Sequence, residues 1–333
     1  MPDSFTIGLT AGSTFDTSIE ETVFAGMDVT FRPVDIQRSA DIPEKLAGVD
    51  AVLDRLLSAS YTEAAIDGLT GCRVVARCGI GVDEIAVEAA TRNGMYVLNV
   101  PSYCEHEVSE HAMLLVLALE RDLLDYATTL REGRWDRRTT SATVHRFHGR
   151  TLGLVGFGKI ARLVAEKAQA FGMEVVATDP YVDAVEMANL DVAKESFETV
   201  LEVADIVSAH TPLVDETRGL FDAAAFDRMK DTALFVNVAR GGLVDEEALV
   251  AALESGTIRG AALDVFPEEP PDRFDGEAPS FESPLRTLDN VVLTPHVAWY
   301  SLEASDEKRR TAARDVRRVL EGEPPENAVN DPT

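Results

Sequence analysis

Residues 151–179 read TLGLVGFGKIARLVAEKAQAFGMEVVATD, and the order of residue types in this stretch decides the fold. Thr151 to Val155 is an apolar run of strand type, Gly156-Phe157-Gly158 is a turn, and Ala161, Val164 and Ala168 then recur on one side of a helix. A second strand ends at Asp179. Gly156 and Gly158 permit a tight turn and let backbone approach a pyrophosphate at the helix N-terminus, and Ala161 is small enough for helix and strand to touch. Asp179 stands about where this fingerprint places the acid that accepts hydrogen bonds from ribose hydroxyls. A bare glycine turn would leave that acid unexplained. The same carboxylate repels a 2′-phosphate, and Pro180 beside it brings no cation, so NAD is expected rather than NADP.

The pattern repeats on both sides. Strand-like runs ending at Val155, Thr178, Ala209, Val238, Leu263 and Thr294 are followed closely by Gly156, Asp179, His210, Arg240, Asp264 and His296. Ligands of open parallel sheets bind beyond the carboxyl ends of the strands, so this alternation delivers polar groups to one rim. Upstream, Thr6 to Leu9, Ala51 to Leu53, Arg73 to Ala76 and Tyr96 to Val100 are strand candidates with helical material between them. Glu105 to Arg131 reads as one long helix, and Ser301 to Leu320 as a final one followed by a loop-like tail. A proline-rich stretch from Pro267 to Pro284 reads as a long irregular loop. The fold class expected is α/β, with two Rossmann-like or flavodoxin-like domains. The NAD-binding domain, residues 102–296, is inserted into a substrate domain of residues 1–101 plus 297–333.

Composition narrows the function. The 333 residues carry 31 Lys and Arg against 58 Asp and Glu, and the resulting charge of −27 would repel a phosphate backbone, which argues against nucleic acid as a partner. Only Lys45, Lys159, Lys167, Lys194, Lys230 and Lys308 are lysines, and so acidic a surface suits a halophilic protein of a high-salt cytoplasm. The longest apolar run, Ala112 to Leu119, is well short of the roughly 18 residues of a membrane span. The first ten residues lack the basic start and apolar core of a signal peptide, and Cys72, Cys78 and Cys104 show no C-x-x-C spacing. A reducing cytoplasm is therefore expected, with no membrane partner and no metal.

Several stretches match a known family. NVARGGLVDEEAL around Arg240, ALDVFPEEPP around Glu269 and LTPHVAWYS around His296 closely resemble the D-isomer-specific 2-hydroxyacid dehydrogenases. RCGIGVDEIA around Gly79 and NVPSYCEHEVSEHA extend the resemblance from about residue 70 to the C-terminus. HVAWYSLEAS is similar to the branch that contains the C-terminal-binding-protein corepressors, whereas NVPSYC looks more like the phosphoglycerate dehydrogenase relatives.

The resemblance implies roles. Arg240 would fork onto the carboxylate and carbonyl oxygens of a 2-oxo or 2-hydroxy acid, and His296 would be the general acid or base. Glu269 would orient His296 and favour its protonated form, with Glu268 as the rival acid. The backbone N–H groups of Ile80 and Gly81, in a loop that Gly79 opens, would hold the substrate carboxylate. Lys159 and Ile160 would lie against the pyrophosphate, His210, Thr211, Val238 and Ala239 beside the nicotinamide half, and Asp264 against its carboxamide. Trp299 would pack or form an apolar wall. Where the family commonly has Asp-Asn-Ile-Asp, this chain has Asp83-Glu84-Ile85-Ala86, and the added acid would disfavour phosphorylated substrates.

The activity so implied is NAD-dependent, reversible hydride transfer with a small D-2-hydroxy acid, either 3-phosphoglycerate or the hydroxypyruvate and glyoxylate pair. The alternative is an NADH-sensing binding protein of the corepressor type. A homodimer is expected, because Leu114, Leu115, Val116, Leu117 and Leu119 point in several directions and one domain cannot cover them all. The charge gives a direct test. The melting temperature should rise as potassium or sodium chloride is taken from low to molar concentration, and a flat or falling series would remove the halophilic reading.

Overall fold

A computed structural model describes residues 4–10, 16–55, 60–136, 144–270 and 279–332. The chain forms two compact units: one from Met1–Tyr103, Pro270–Phe281 and Ser301–Thr333, the other from Cys104–Glu269 and Glu282–Tyr300.

The first unit is built on five parallel strands, β1 (Phe5–Thr10), β2 (Val29–Val34), β3 (Ala51–Asp54), β4 (Val74–Arg77) and β5 (Tyr96–Leu98), in the order β2-β1-β3-β4-β5. Side chains alternate between the faces. Ile7, Leu9, Ala51, Leu53, Val74, Ala76 and Leu98 enter one apolar cluster, and Val52, Val75 and Val97 enter the other. Helix Leu302–Leu320 covers the first face with Ala312, Ala313, Val316, Val319 and Leu320. It starts where the Ser301 hydroxyl accepts the Ala304 N–H at 2.9 Å. Arg309 on this helix forks onto the buried Glu20, with Nε to Oε1 at 2.9 Å and Nη2 to Oε2 at 2.5 Å.

The tail beyond Glu321 is more ordered than the sequence suggests. Ala328 bridges Leu98 antiparallel, and Asn330 accepts the Val97 N–H at 2.7 Å while donating to the Met95 carbonyl at 2.9 Å. Strand β2 was not among the sequence candidates. It is an edge strand of half-exposed residues that includes Arg32 and Pro33, so it lacks the apolar run by which its neighbours are recognised.

The second unit holds seven parallel strands: β6 (Thr151–Val155), β7 (Glu174–Thr178), β8 (Ala193–Lys194), β9 (Ile206–Ala209), β10 (Leu234–Asn237), β11 (Gly260–Leu263) and β12 (Val291–Leu293). Their order is β12-β11-β10-β9-β6-β7-β8. From β6 the chain first builds outward through β7 and β8, then returns to β9 on the other side. The order therefore reverses between β6 and β9, the place where a parallel sheet opens a crevice at its carboxyl rim. Strands β9, β10 and β11 are buried along their whole length, which is why they read as unbroken apolar runs.

The helix expected from Glu105 to Arg131 is two helices, Glu105–Glu120 and Leu123–Arg131. The break has a physical cause. Glu120 is fully buried and accepts hydrogen bonds from the His145 N–H, Arg150 and Arg259, and two residues later Asp122 takes φ 47, a left-handed turn that ends the helical path. Of the proline-rich loop, residues 271–278 lie outside the described residues. Among the described residues no helix is long and apolar enough to cross a membrane.

Candidate active site

The glycine turn after β6 is set by contact with the loop after β9. Gly156 has φ +91, and a Cβ on it would stand 2.7 Å from the His210 carbonyl carbon and 2.8 Å from the Thr211 nitrogen, so only glycine lets the two strand ends meet. The Phe157 N–H donates to Asp179 Oδ2 and the Tyr181 N–H to Asp179 Oδ1, each at 2.8 Å. Each carboxylate oxygen keeps acceptor capacity for a hydroxyl. Among the described residues no side chain caps helix Lys159–Ala170, whose N-cap is Gly158, with open space around that glycine; Gly158 and Lys159 are exposed and Ile160 is half-buried. An uncapped helix start beside a carboxylate with free acceptor capacity fits a dinucleotide pyrophosphate. The nearby Arg162 is engaged: Nη2 meets Glu186 Oε1 at 2.7 Å, and Nε donates to the Phe157 carbonyl at 3.2 Å.

His210 continues β9. Its N–H donates to the Val155 carbonyl at 2.7 Å, and Nε2 lies 2.9 Å from the Ser208 hydroxyl. Loss of solvent around the ring pushes its pKa down to about 4, so the imidazole is neutral at ordinary pH.

The Arg240 turn is clamped by Asn237, a fully buried residue at the end of β10. Asn237 accepts the Ala239 N–H at 3.0 Å and donates to the Arg240 carbonyl at 2.9 Å, which folds Val238 and Ala239 over the strand end. Arg240 Nη1 donates to the Ala239 carbonyl at 2.7 Å. Next to it, a Cβ on Gly241 would fall 1.9 Å from the Phe266 carbonyl carbon, so glycine brings this turn against the segment that carries Glu269. In the sequence Asn237 is marked only as a polar residue closing an otherwise apolar strand.

Glu269 and His296 meet. Glu269 Oε1 accepts the Phe266 N–H at 3.0 Å, and Oε2 lies 2.6 Å from His296 Nδ1, with both side chains about a quarter exposed. His296 has φ 51, and its N–H donates to the Asp264 carbonyl at 2.7 Å. Asp264, the residue implied to meet the carboxamide, has no exposed surface. Its Oδ1 accepts from the Thr294 hydroxyl at 2.5 Å and the Val297 N–H at 3.0 Å, and its Oδ2 from the Ala298 N–H at 2.8 Å. Trp299 stacks edge-on against Tyr300 with ring centroids 5.5 Å apart.

In the first unit, the loop after β4 presents its N–H groups by having its carbonyls held. The Gly79 carbonyl accepts the Val100 N–H at 2.9 Å, and the Ile80 carbonyl accepts Asn99 Nδ2 at 2.7 Å. Among the described residues no acceptor takes the Ile80 or Gly81 N–H. Asp83 and Glu84, just beyond, are exposed.

Residues 113–298 match the family model described as D-isomer specific 2-hydroxyacid dehydrogenase, NAD binding domain. The chain is 40% identical over 298 residues to a D-3-phosphoglycerate dehydrogenase of Mycobacterium leprae, covering 88% of this chain and 54% of that protein. It thus spans about half the length of the curated relatives it matches. Among solved structures it is similar to the TT0316 protein from Thermus thermophilus, at TM-score 0.84 and 30% identity, covering 98% of this chain and all of the other. A glyoxylate reductase from Paecilomyes thermophila superposes at TM-score 0.85 and 27% identity, covering 99% of each chain.

The neutral His210 has a consequence for stability. Its pKa is about 4 in the folded protein against 6.5 for an ordinary histidine, so between those values the unfolded chain binds more protons. The contribution is whole above pH 6.5 and is lost as pH falls toward 4, at most about 3 kcal/mol. Urea unfolding at pH 7 and pH 4.5 should therefore show a smaller loss for His210→Gln than for the wild type. An equal loss in the two proteins would exclude this residue as a source of acid sensitivity.

Proposed function

The chain belongs to the D-isomer-specific 2-hydroxyacid dehydrogenase family, and from that premise we propose that it transfers a hydride reversibly between NAD(H) and a small D-2-hydroxy acid or its 2-oxo acid. The contact between Glu269 and His296, at 2.6 Å, is the observation that carries this reading. With Nδ1 engaged by the carboxylate, Nε2 is the nitrogen left to work. It gives a proton to the 2-oxo oxygen during reduction and takes one from the hydroxyl during oxidation. Glu269 keeps the ring oriented. Arg240 holds the substrate carboxylate and carbonyl oxygens and stabilises the charge that develops there.

NAD, when bound, supplies the hydride acceptor or donor. Gly156, Gly158, Lys159 and Ile160 would hold its pyrophosphate and Asp179 its adenosine ribose. His210, Thr211, Val238 and Ala239 would surround the nicotinamide half, with Asp264 behind them, buried and with its oxygens held by Thr294, Val297 and Ala298. Residues 102–296 would then be the NAD-binding domain, and residues 1–101 with 297–333 the substrate domain. The exposed Glu84, the acid that departs from the family pattern beside the Gly79 loop, favours an unphosphorylated acid such as hydroxypyruvate or glyoxylate over the phosphorylated one. A homodimer through the Glu105–Arg131 region is supported by the half-exposed Leu114, Leu123, Leu124 and Leu130 and by Trp135, which is 84% exposed.

A panel of 2-oxo acids with NADH and NADPH tests the assignment. NADH should be the better cofactor, Asp179→Ala should narrow the gap, and His296→Ala should lower turnover on the order of 10²- to 10⁴-fold with NADH binding nearly intact. Near-normal turnover by that variant would remove His296 from the mechanism. Light scattering should give twice the mass of one chain, and an active monomer would refute the dimer.

A further inference from the structure

Thr294, Asp264 and His111 form a line of hydrogen bonds that ends on the backbone N–H groups of Val297 and Ala298, directly after His296, all within one unit. Thr294 has a single hydroxyl proton, and it goes to Asp264 Oδ1 at 2.5 Å. At its other contact the same oxygen must accept, so His111, whose Nε2 lies 3.0 Å away, presents a protonated Nε2. His111 is on helix Glu105–Glu120 with its ring 15% exposed, and Nε2 is also 3.5 Å from Asp264 Oδ1.

Asp264 in turn gathers three consecutive N–H groups. His296 donates to its carbonyl, and Val297 and Ala298 donate to its two carboxylate oxygens. This is the turn that keeps His296 at φ 51, a conformation a residue with a Cβ holds only when its surroundings impose it. A buried carboxylate deprived of a donor reorients toward another one, and the N–H groups bound to it move with it.

We propose that His111 is a positioning residue: through the Thr294 hydroxyl it fixes the Asp264 carboxylate, and thereby the turn that aims His296. This rests on the function proposed above, in which His296 handles the proton. Loss of a donor from His111 should disturb proton transfer while leaving the pyrophosphate turn at Gly156 and the acid at Asp179 untouched.

The test uses the full chain and five variants: His111→Leu, His111→Gln, Thr294→Val, Thr294→Ser and the double His111→Leu with Thr294→Val. Turnover in 2-oxo acid reduction is measured beside the Kd for NADH from fluorescence titration and the melting temperature. His111→Leu and Thr294→Val should each lower kcat on the order of 10- to 100-fold, the cost of a misplaced reacting group, with the Kd for NADH changed by less than about 3-fold. Gln, which keeps an N–H donor, and Ser, which keeps the hydroxyl, should each restore most of the loss. The double variant should be no slower than Thr294→Val alone, because both changes cut one line. Three results would overturn the proposal: undiminished kcat in His111→Leu, equal impairment in the Gln variant, or losses that multiply in the double. Should His111→Leu fail to fold, the Thr294 pair decides alone, and equal kcat in Val and Ser variants rejects the line. A wild type without turnover on any 2-oxo acid would instead refute the proposed function, and this inference with it.

Discussion

A carboxylate removed from water must be satisfied bond by bond, and the buried Asp264 is satisfied almost entirely by the segment it shapes. The Thr294 hydroxyl and the N–H groups of Val297 and Ala298 reach its side chain, while the His296 N–H reaches its carbonyl. The turn at His296 is therefore not a property of its own residues. It is the arrangement by which one buried charge finds its donors, and the approach of His296 to Glu269 follows from it. Asn237 does similar work one strand away, closing the Arg240 turn with an amide that both donates and accepts. In each case a polar group at the carboxyl end of a strand fixes the turn of a polar side chain that itself stands partly in solvent.

Much of this was legible in the sequence, because glycine and strand-end polarity leave unambiguous marks. Gly156, Gly158 and Asp179 declared the turn, the helix start and the acid, and the structure puts them together through the Phe157 N–H. The alternation of apolar runs and polar ends located Arg240, Asp264 and His296 on one rim of one sheet. Glu269 stood out from Glu268 only by the matched proline pattern, and it is Glu269 that touches His296.

What escaped has a common physical origin: it depends on partners distant in sequence. Nothing near Asp122 announces a break, which comes with Glu120 held by Arg150 and Arg259, 30 and 139 residues away. Strand β2 has an exposed edge and a proline, so its pairing with β1 rather than its own pattern makes it a strand. His111 reads as one polar residue on an amphipathic helix until Thr294, 183 residues on, is found beside it.

The interrupted path of the first unit constrains the order in which it can form. Its Val97 N–H waits for Asn330, 233 residues later, and Glu20 waits for Arg309, 289 residues later. Until those residues leave the ribosome, one apolar face of the five-stranded sheet lacks its helix and Glu20 lacks the guanidinium fork of Arg309. The second unit ends at Tyr300. During synthesis the inserted unit can close its sheet first, and the five-stranded unit, which draws on residues to either side of it, closes after it and bears the larger loop-closure entropy of the two.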